Sequence, residues 1–125
     1  MGRQVVVAFH DRLIAEHGGA GGIRDEAMLE SALARPRNLI AYGKPSLFDL
    51  AACYAFGLVK NHPFLDGNKR IGFAVAVLFL ELNGGRFTAS EVDVVLRTLA
   101  LAAGEMSETS YAEWMENNSS VLEND

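Results

Sequence analysis

Apolar residues recur at helical spacing along nearly the whole chain. Val6, Phe9 and Leu13 fall on one face of a first segment, as positions three and four apart do on a helix. The run Gly18-Gly19-Ala20-Gly21-Gly22 ends it, because consecutive glycines favour a helix stop and a turn. Asp25 stands where an N-cap opens a second helix, with Glu26 near its positive end. Leu29 and Leu33 mark the buried side, and Pro36 is expected beyond the last turn. Ser46 and Asp49 have the spacing of a capping box, with Asp in place of the usual Glu. Leu47, Leu50, Ala51, Tyr54 and Leu58 then form the apolar stripe of a third helix. Pro63 should stop it near His62, since the residue before a proline is pushed away from helical geometry.

A fourth helix is expected from about Asp66 to Asn83. It is apolar nearly all round: Ile71, Phe73, Val75, Val77, Leu78, Phe79 and Leu80. Such a helix has to be surrounded, which places it at the centre of a bundle. Gly84-Gly85 ends it. Ser90 and Asp93 open a further helix carrying Val92, Val95, Leu96 and Leu99, and Ser110 with Glu113 opens the last, carrying Tyr111, Trp114 and Met115. Arg37 to Pro45 shows no clear period and could be a short helix, a loop or a small hairpin. The pattern predicts an all-α fold, a single domain over residues 1–125, with that stretch as its irregular element.

The length, 125 residues with half of them hydrophobic, suits one core. A formal net charge of −5 argues against a nucleic-acid module, which carries a basic face. The single cysteine, Cys53, cannot form an internal disulfide, which fits a reducing compartment. The N-terminal residues lack a signal-peptide pattern, and the apolar run Ile71 to Leu80 is shorter than the roughly 20 residues a membrane span needs. The expectation is a soluble, cytoplasmic protein. His10 and His17 have no Cys or His at metal spacing, so zinc is not expected. The glycine run lacks the Lys-Ser/Thr ending of a P-loop. Cys53 and Trp114 read as packing residues.

The candidate chemistry is concentrated in His62-Pro63-Phe64-Leu65-Asp66-Gly67-Asn68-Lys69-Arg70. The first N–H groups of a helix have no partner inside it and point outward with the positive end of the dipole, which makes a phosphate seat. Gly67 lets a phosphate approach the backbone, Asn68 offers an amide donor, and Lys69 and Arg70 add positive charge. Asp66 would repel phosphate unless Mg²⁺ lies between them, an ion held by one or two carboxylates plus phosphate oxygens. His62, with an ordinary imidazole pKa of about 6.5, can accept a proton from an attacking hydroxyl. Together these are parts that phosphoryl transfer uses. Each also has a plain structural reading: Asp66 as an N-cap, His62 as a partner of helix carbonyls, Lys69 and Arg70 as a solvated face. Phe64 reads as structural, its ring anchoring the loop.

The nine residues resemble the signature of the Fic/Doc family, and more narrowly that of the Doc (death-on-curing) toxins of type II toxin–antitoxin systems. Gly22-Ile23-Arg24-Asp25-Glu26, Leu29 to Pro36, and Phe79-Leu80-Glu81-Leu82-Asn83-Gly84 extend the resemblance over most of the chain. The resemblance implies a compact helical bundle around a buried central helix, with a short irregular or hairpin flap that would fall between Arg37 and Pro45. It implies His62 as general base, Asp66 as Mg²⁺ ligand, and Gly67, Asn68, Lys69 and Arg70 as phosphate binders for ATP. It further implies a kinase-like toxin that moves the γ-phosphate to a Ser or Thr hydroxyl of translation elongation factor Tu and stops translation. Control would come from a separate antitoxin, with no direct nucleic-acid or membrane partner.

Two departures from the wider Fic pattern bear on the transferred group. Family members that transfer AMP carry Gly where this chain has Lys69, and a second Arg where it has Phe73. Both departures match the Doc branch. Thr109 and Glu113 have the spacing of an internal inhibitory helix, but Trp114 follows and the Arg partner is missing, so no internal inhibitor is expected. AMP or other nucleotidyl transfer, and a non-catalytic binding domain of the same fold, are the alternatives.

Overall fold

The computed structural model describes residues 1–121. Six helices and one short strand pair follow in the order α1 Arg3–His17, α2 Glu26–Tyr42, α3 Leu47–Asn61, α4 Asn68–Leu82, β1 Gly85–Phe87, α5 Glu91–Ala103, α6 Glu108–Asn117 and β2 Ser119–Val121. The fold is all-α, as the periodicity predicts. The two strands pair antiparallel, Arg86 opposite Ser120.

Local chemistry sets most helix starts. Asp25 caps α2 by accepting from the Met28 N–H. Ser46 and Asp49 form the expected reciprocal capping box on α3, and Ser90 caps α5. The last helix starts earlier than expected: Ser107, not Ser110, is its cap, because the Ser107 hydroxyl accepts from Ser110 N–H. At the other end of α3, His62 adopts a left-handed conformation, φ 52°, and Pro63 follows as the sequence rule anticipates.

Helix α2 differs from expectation. It runs through Pro36 to Tyr42, so the region proposed as a flap is helical apart from Gly43-Lys44-Pro45. Pro36 has no N–H for the Ala32 carbonyl four residues back, but it is buried. One turn earlier α2 approaches α3 closely: a Cβ on Gly57 would lie 3.2 Å from Ala32 Cα and 3.3 Å from its carbonyl oxygen. Tertiary packing thus carries the helix past a residue that breaks isolated ones.

Two apolar clusters flank α3 and α4. One gathers Val6, Leu29, Ala32, Leu58, Phe64, Ile71 and Val75 under α1 and α2. The other gathers Ala51, Ala55, Ala76, Leu80, Leu101, Tyr111 and Met115 under α5 and α6. Arg35 ties α2 to α3 and α6: it donates to the Cys53 carbonyl, pairs with Glu108 at 2.8 Å and lies 4.7 Å over the Phe56 ring. Cys53 is buried, and burial pushes its thiol up to about 11. It is the packing residue the sequence suggests, and a thiol rather than a thiolate at neutral pH.

The expectation of a surrounded α4 holds on three sides. Its Phe73, Ala74 and Val77 instead form the wall of an open cleft opposite α5. Helix α5 also departs from expectation, for Val92, Val95, Leu96 and Leu99 are exposed, while Thr98 and Leu101 are buried. Trp114 packs against Phe87 and Tyr111, and its indole N–H donates to Asp93 at 2.7 Å. That bond holds the Asp93 carboxyl below its usual range; partial desolvation opposes the shift and Arg97 adds to it. A carboxylate lowered in the folded state stabilises above its unfolded pKa, about 3.9, and loses that contribution as pH falls through its folded value. Melting curves should therefore show Asp93→Ala less stable than the parent chain at neutral pH, with the gap closing below about pH 4.

Candidate active site

The loop between α3 and α4 is held by partners on both sides. Within it, the buried Asn68 amide accepts from Phe64 N–H at 2.9 Å and donates to the Phe64 carbonyl at 3.0 Å. Along its outer edge, residues 22–25 run antiparallel to it. Ile23 bridges Phe64, Leu65 N–H donates to Gly22 O, and the N–H groups of Arg24 and Asp25 both donate to Pro63 O. The Arg24 side chain then donates to His62 O at 2.7 Å and Asn61 O at 3.0 Å. These are orphan carbonyls at the negative end of α3, and a guanidinium suits them.

Helix α4 begins at Asn68, two residues later than expected, and Gly67 rather than Asp66 is its cap. Gly67 has φ 74°, and a Cβ there would lie 3.4 Å from Ile14 Cδ1 and 3.6 Å from His10 Nε2. Glycine is thus favoured by the backbone conformation, while a Cβ would make only ordinary contact with α1. Among the described residues, none accepts from the main-chain N–H groups of Asn68, Lys69 or Arg70, the first turn of α4. Open N–H groups of this kind at a helix start are the arrangement that suits an anion. One part of the sequence expectation needs correcting: the Asn68 side chain is committed to Phe64, so only its main-chain N–H can face an anion.

The exposed His62 and Lys69 share one cleft, about 440 Å³, walled by Val59, Lys60, Leu99, Ala102 and Ala103. Lys69 and Arg70 share a second, about 710 Å³, between α1, α4, β1 and α5. Lys69 and Leu99 stand in the walls of both. The base candidate and the cationic helix start therefore meet. Among the described residues, neither Lys69 nor Arg70 takes part in an ion pair.

Asp66 is exposed and belongs to the wall of neither cleft. Its Oδ1 accepts from Gly67 N–H at 2.8 Å and its Oδ2 from Ala20 N–H at 3.3 Å. A Cβ on Gly19 would sit 2.5 Å from Oδ2, so the glycine run makes room for this carboxylate. Both oxygens retain lone pairs toward solvent. Among the described residues no three His, Cys, Asp or Glu side chains cluster. A single accessible carboxylate fits Mg²⁺, which completes its shell with phosphate and water, and does not fit a protein-only cage.

Phe64 is buried and stacked on His10, centroids 3.8 Å apart. Its ring thus lies in the core rather than toward either cleft. Phe73 packs edge-on against Phe87. A model of the Fic/DOC family matches residues 2–80. The chain belongs to the Fic/DOC family. It is 41% identical over 75 residues to Toxin Doc of Mycolicibacterium smegmatis (strain ATCC 700084 / mc(2)155), a match spanning 58% of this chain and 57% of that protein. The chain thus spans little more than half the length of that curated relative. The Fic/DOC match takes in the nine-residue segment and both elements that brace it, α1 and the loop of residues 18–25.

Sequence reasoning missed Arg24, Gly19 and His10 as parts of the site. His10 had a signal, since it lies four residues after Val6 on the buried stripe. Arg24 and Gly19 act through contacts 38 and 47 positions away, respectively, which no local pattern reports. Arg24→Ala should cost on the order of 1 kcal/mol, a charged hydrogen bond discounted for exposure. It should also speed amide exchange over residues 61–65, read by hydrogen–deuterium exchange mass spectrometry; unchanged exchange would show that Arg24 does not brace the loop.

Proposed function

We propose that this chain is a Doc-type toxin that transfers the γ-phosphate of ATP to a Ser or Thr hydroxyl of a protein target, translation elongation factor Tu by family resemblance, and so blocks translation. One observation carries the reading: His62 and Lys69 face the same cleft at the open N-terminus of α4. In this scheme His62 takes the proton of the target hydroxyl. The hydroxyl oxygen attacks the γ-phosphorus, the bond to the β-phosphate oxygen breaks, and ADP leaves. The N–H groups of the first turn of α4, with Lys69 and Arg70, receive charge on the phosphate oxygens, the main protein contribution in such transfers. Asp66 would hold Mg²⁺, which when bound neutralises phosphate charge and orients the triphosphate.

Phe73 favours phosphate over AMP as the group transferred, because no second cation stands at that position to clamp the far phosphates. Incubation with γ-labelled ATP and bacterial extract should leave label on one protein, and His62→Ala should abolish it. Label arriving from the α-position would instead establish nucleotidyl transfer. No labelling and no Mg-ATP binding by a folded chain would favour the non-catalytic alternative.

Control by a separate antitoxin is part of the same reading. The cleft between α4 and α5 has apolar walls from Phe73, Val77, Val94 and Val95, and Leu96 stands 59% exposed beside it. A segment that folds on docking would cover such a face. Leu96→Glu, outside the cleft wall that holds Lys69 and Arg70, should leave labelling by the toxin intact and weaken its neutralisation by the antitoxin, measured by co-expression and growth.

A further inference from the structure

The mechanism above makes no use of His10, although its ring is buried, 1% exposed, and touches two residues of the motif. Its Nε2 lies 2.7 Å from the main-chain carbonyl oxygen of Asp66. A carbonyl only accepts, so the ring proton is on Nε2. Nδ1 is then a buried atom with no partner among the described residues. The ring lies flat on Phe64, 10° from parallel, and its Nε2 bounds the space beside Gly67. One imidazole on α1 therefore contacts three successive parts of the loop: the Phe64 ring, the Asp66 peptide and the cap of α4.

We propose that His10 is a positioning residue for Asp66, fixing the peptide from which the carboxylate is presented to Mg²⁺. The proposal rests on the reading of Asp66 as the Mg²⁺ ligand. Among the described residues the carboxylate itself has only two main-chain donors, the longer at 3.3 Å. Its backbone is anchored more firmly, by the short bond from His10. A residue that merely fills the core would need only the volume and flat face of the ring. The directed Nε2–H bond is the additional feature, and second-shell donors of this kind orient metal ligands elsewhere.

Two substitutions separate the roles. His10→Phe keeps the ring and its stack but removes the donor, while His10→Gln keeps an N–H near the Nε2 position. Calorimetry would measure ATP binding to each full-length chain with Mg²⁺ and again in EDTA. H10F is expected to weaken Mg-ATP binding roughly 10- to 100-fold, the usual loss for a second-shell partner. Its metal-free ATP binding should be unchanged, and H10Q should bind Mg-ATP close to the parent chain. Mg-ATP binding by H10F equal to the parent's, an equal loss with and without Mg²⁺, or H10Q as weak as H10F would each overturn the assignment.

Should H10F fail to fold by circular dichroism, ring ¹⁵N shifts of His10 in the unaltered chain decide the question. A proton on Nε2 supports the assignment, and one on Nδ1 overturns it. A parent chain without Mg²⁺-dependent ATP binding would sink the Mg²⁺ reading itself, a result distinct from any difference between variants.

Discussion

The buried amide of Asn68 is the constraint on which the candidate site depends. It satisfies both the N–H and the carbonyl of Phe64, two main-chain groups in a buried segment that would otherwise lack partners at a cost of about 1–3 kcal/mol each. With Phe64 held this way, its ring is pinned in the core beside His10. The chain must then turn at Asp66-Gly67 and enter α4 with its first N–H groups facing out. The same residue whose peptide opens the helix thus closes the loop that precedes it. An apolar side chain of equal size would fill the space and leave the loop unfixed.

Around that constraint, the bundle divides its tasks. Helices α3 and α4 form the packed centre, and the candidate reactive side chains lie where the end of α3 adjoins the start of α4. Helix α1 and the loop after it contribute no reactive group, yet they supply the contacts that orient His62 and Asp66: Arg24 on one carbonyl, His10 on the other, Ala20 on the carboxylate. Helices α5 and α6 close the opposite side but leave one flank of α4 open, and the apolar residues along α5 border that opening. The uncovered flank lies directly beside Lys69 and Arg70, so whatever occupies it also bears on the proposed phosphate seat.

Much of this was legible in the chain. Caps at Asp25, Ser46 and Ser90 are local chemistry, and local chemistry survives folding. The helix end at His62-Pro63 follows from sterics alone. What could not be read depends on distant partners. Pro36 sits inside a helix that is held by burial in the bundle, and Ser107 takes the cap that Ser110 could equally have offered. The stripe of Val92, Val95, Leu96 and Leu99 has the period of a buried face, and periodicity reports amphipathicity without saying what covers it. Within the motif, His62, Lys69 and Arg70 are exposed around the start of α4, whereas the Asn68 side chain turns inward because Phe64 has main-chain groups to satisfy.

Gly19 has a consequence for how related chains are compared. Its missing side chain leaves space for an oxygen of Asp66, 47 positions further on, and its φ of 111° suits few other residues. A homologue could retain all nine signature residues and still be inert because an alanine at this one place displaces the acidic group. Conversely, a change at Gly19 itself is not neutral loop variation. Surveys that judge competence from the signature alone would misclassify such chains, and position 19 is the inexpensive second criterion to check.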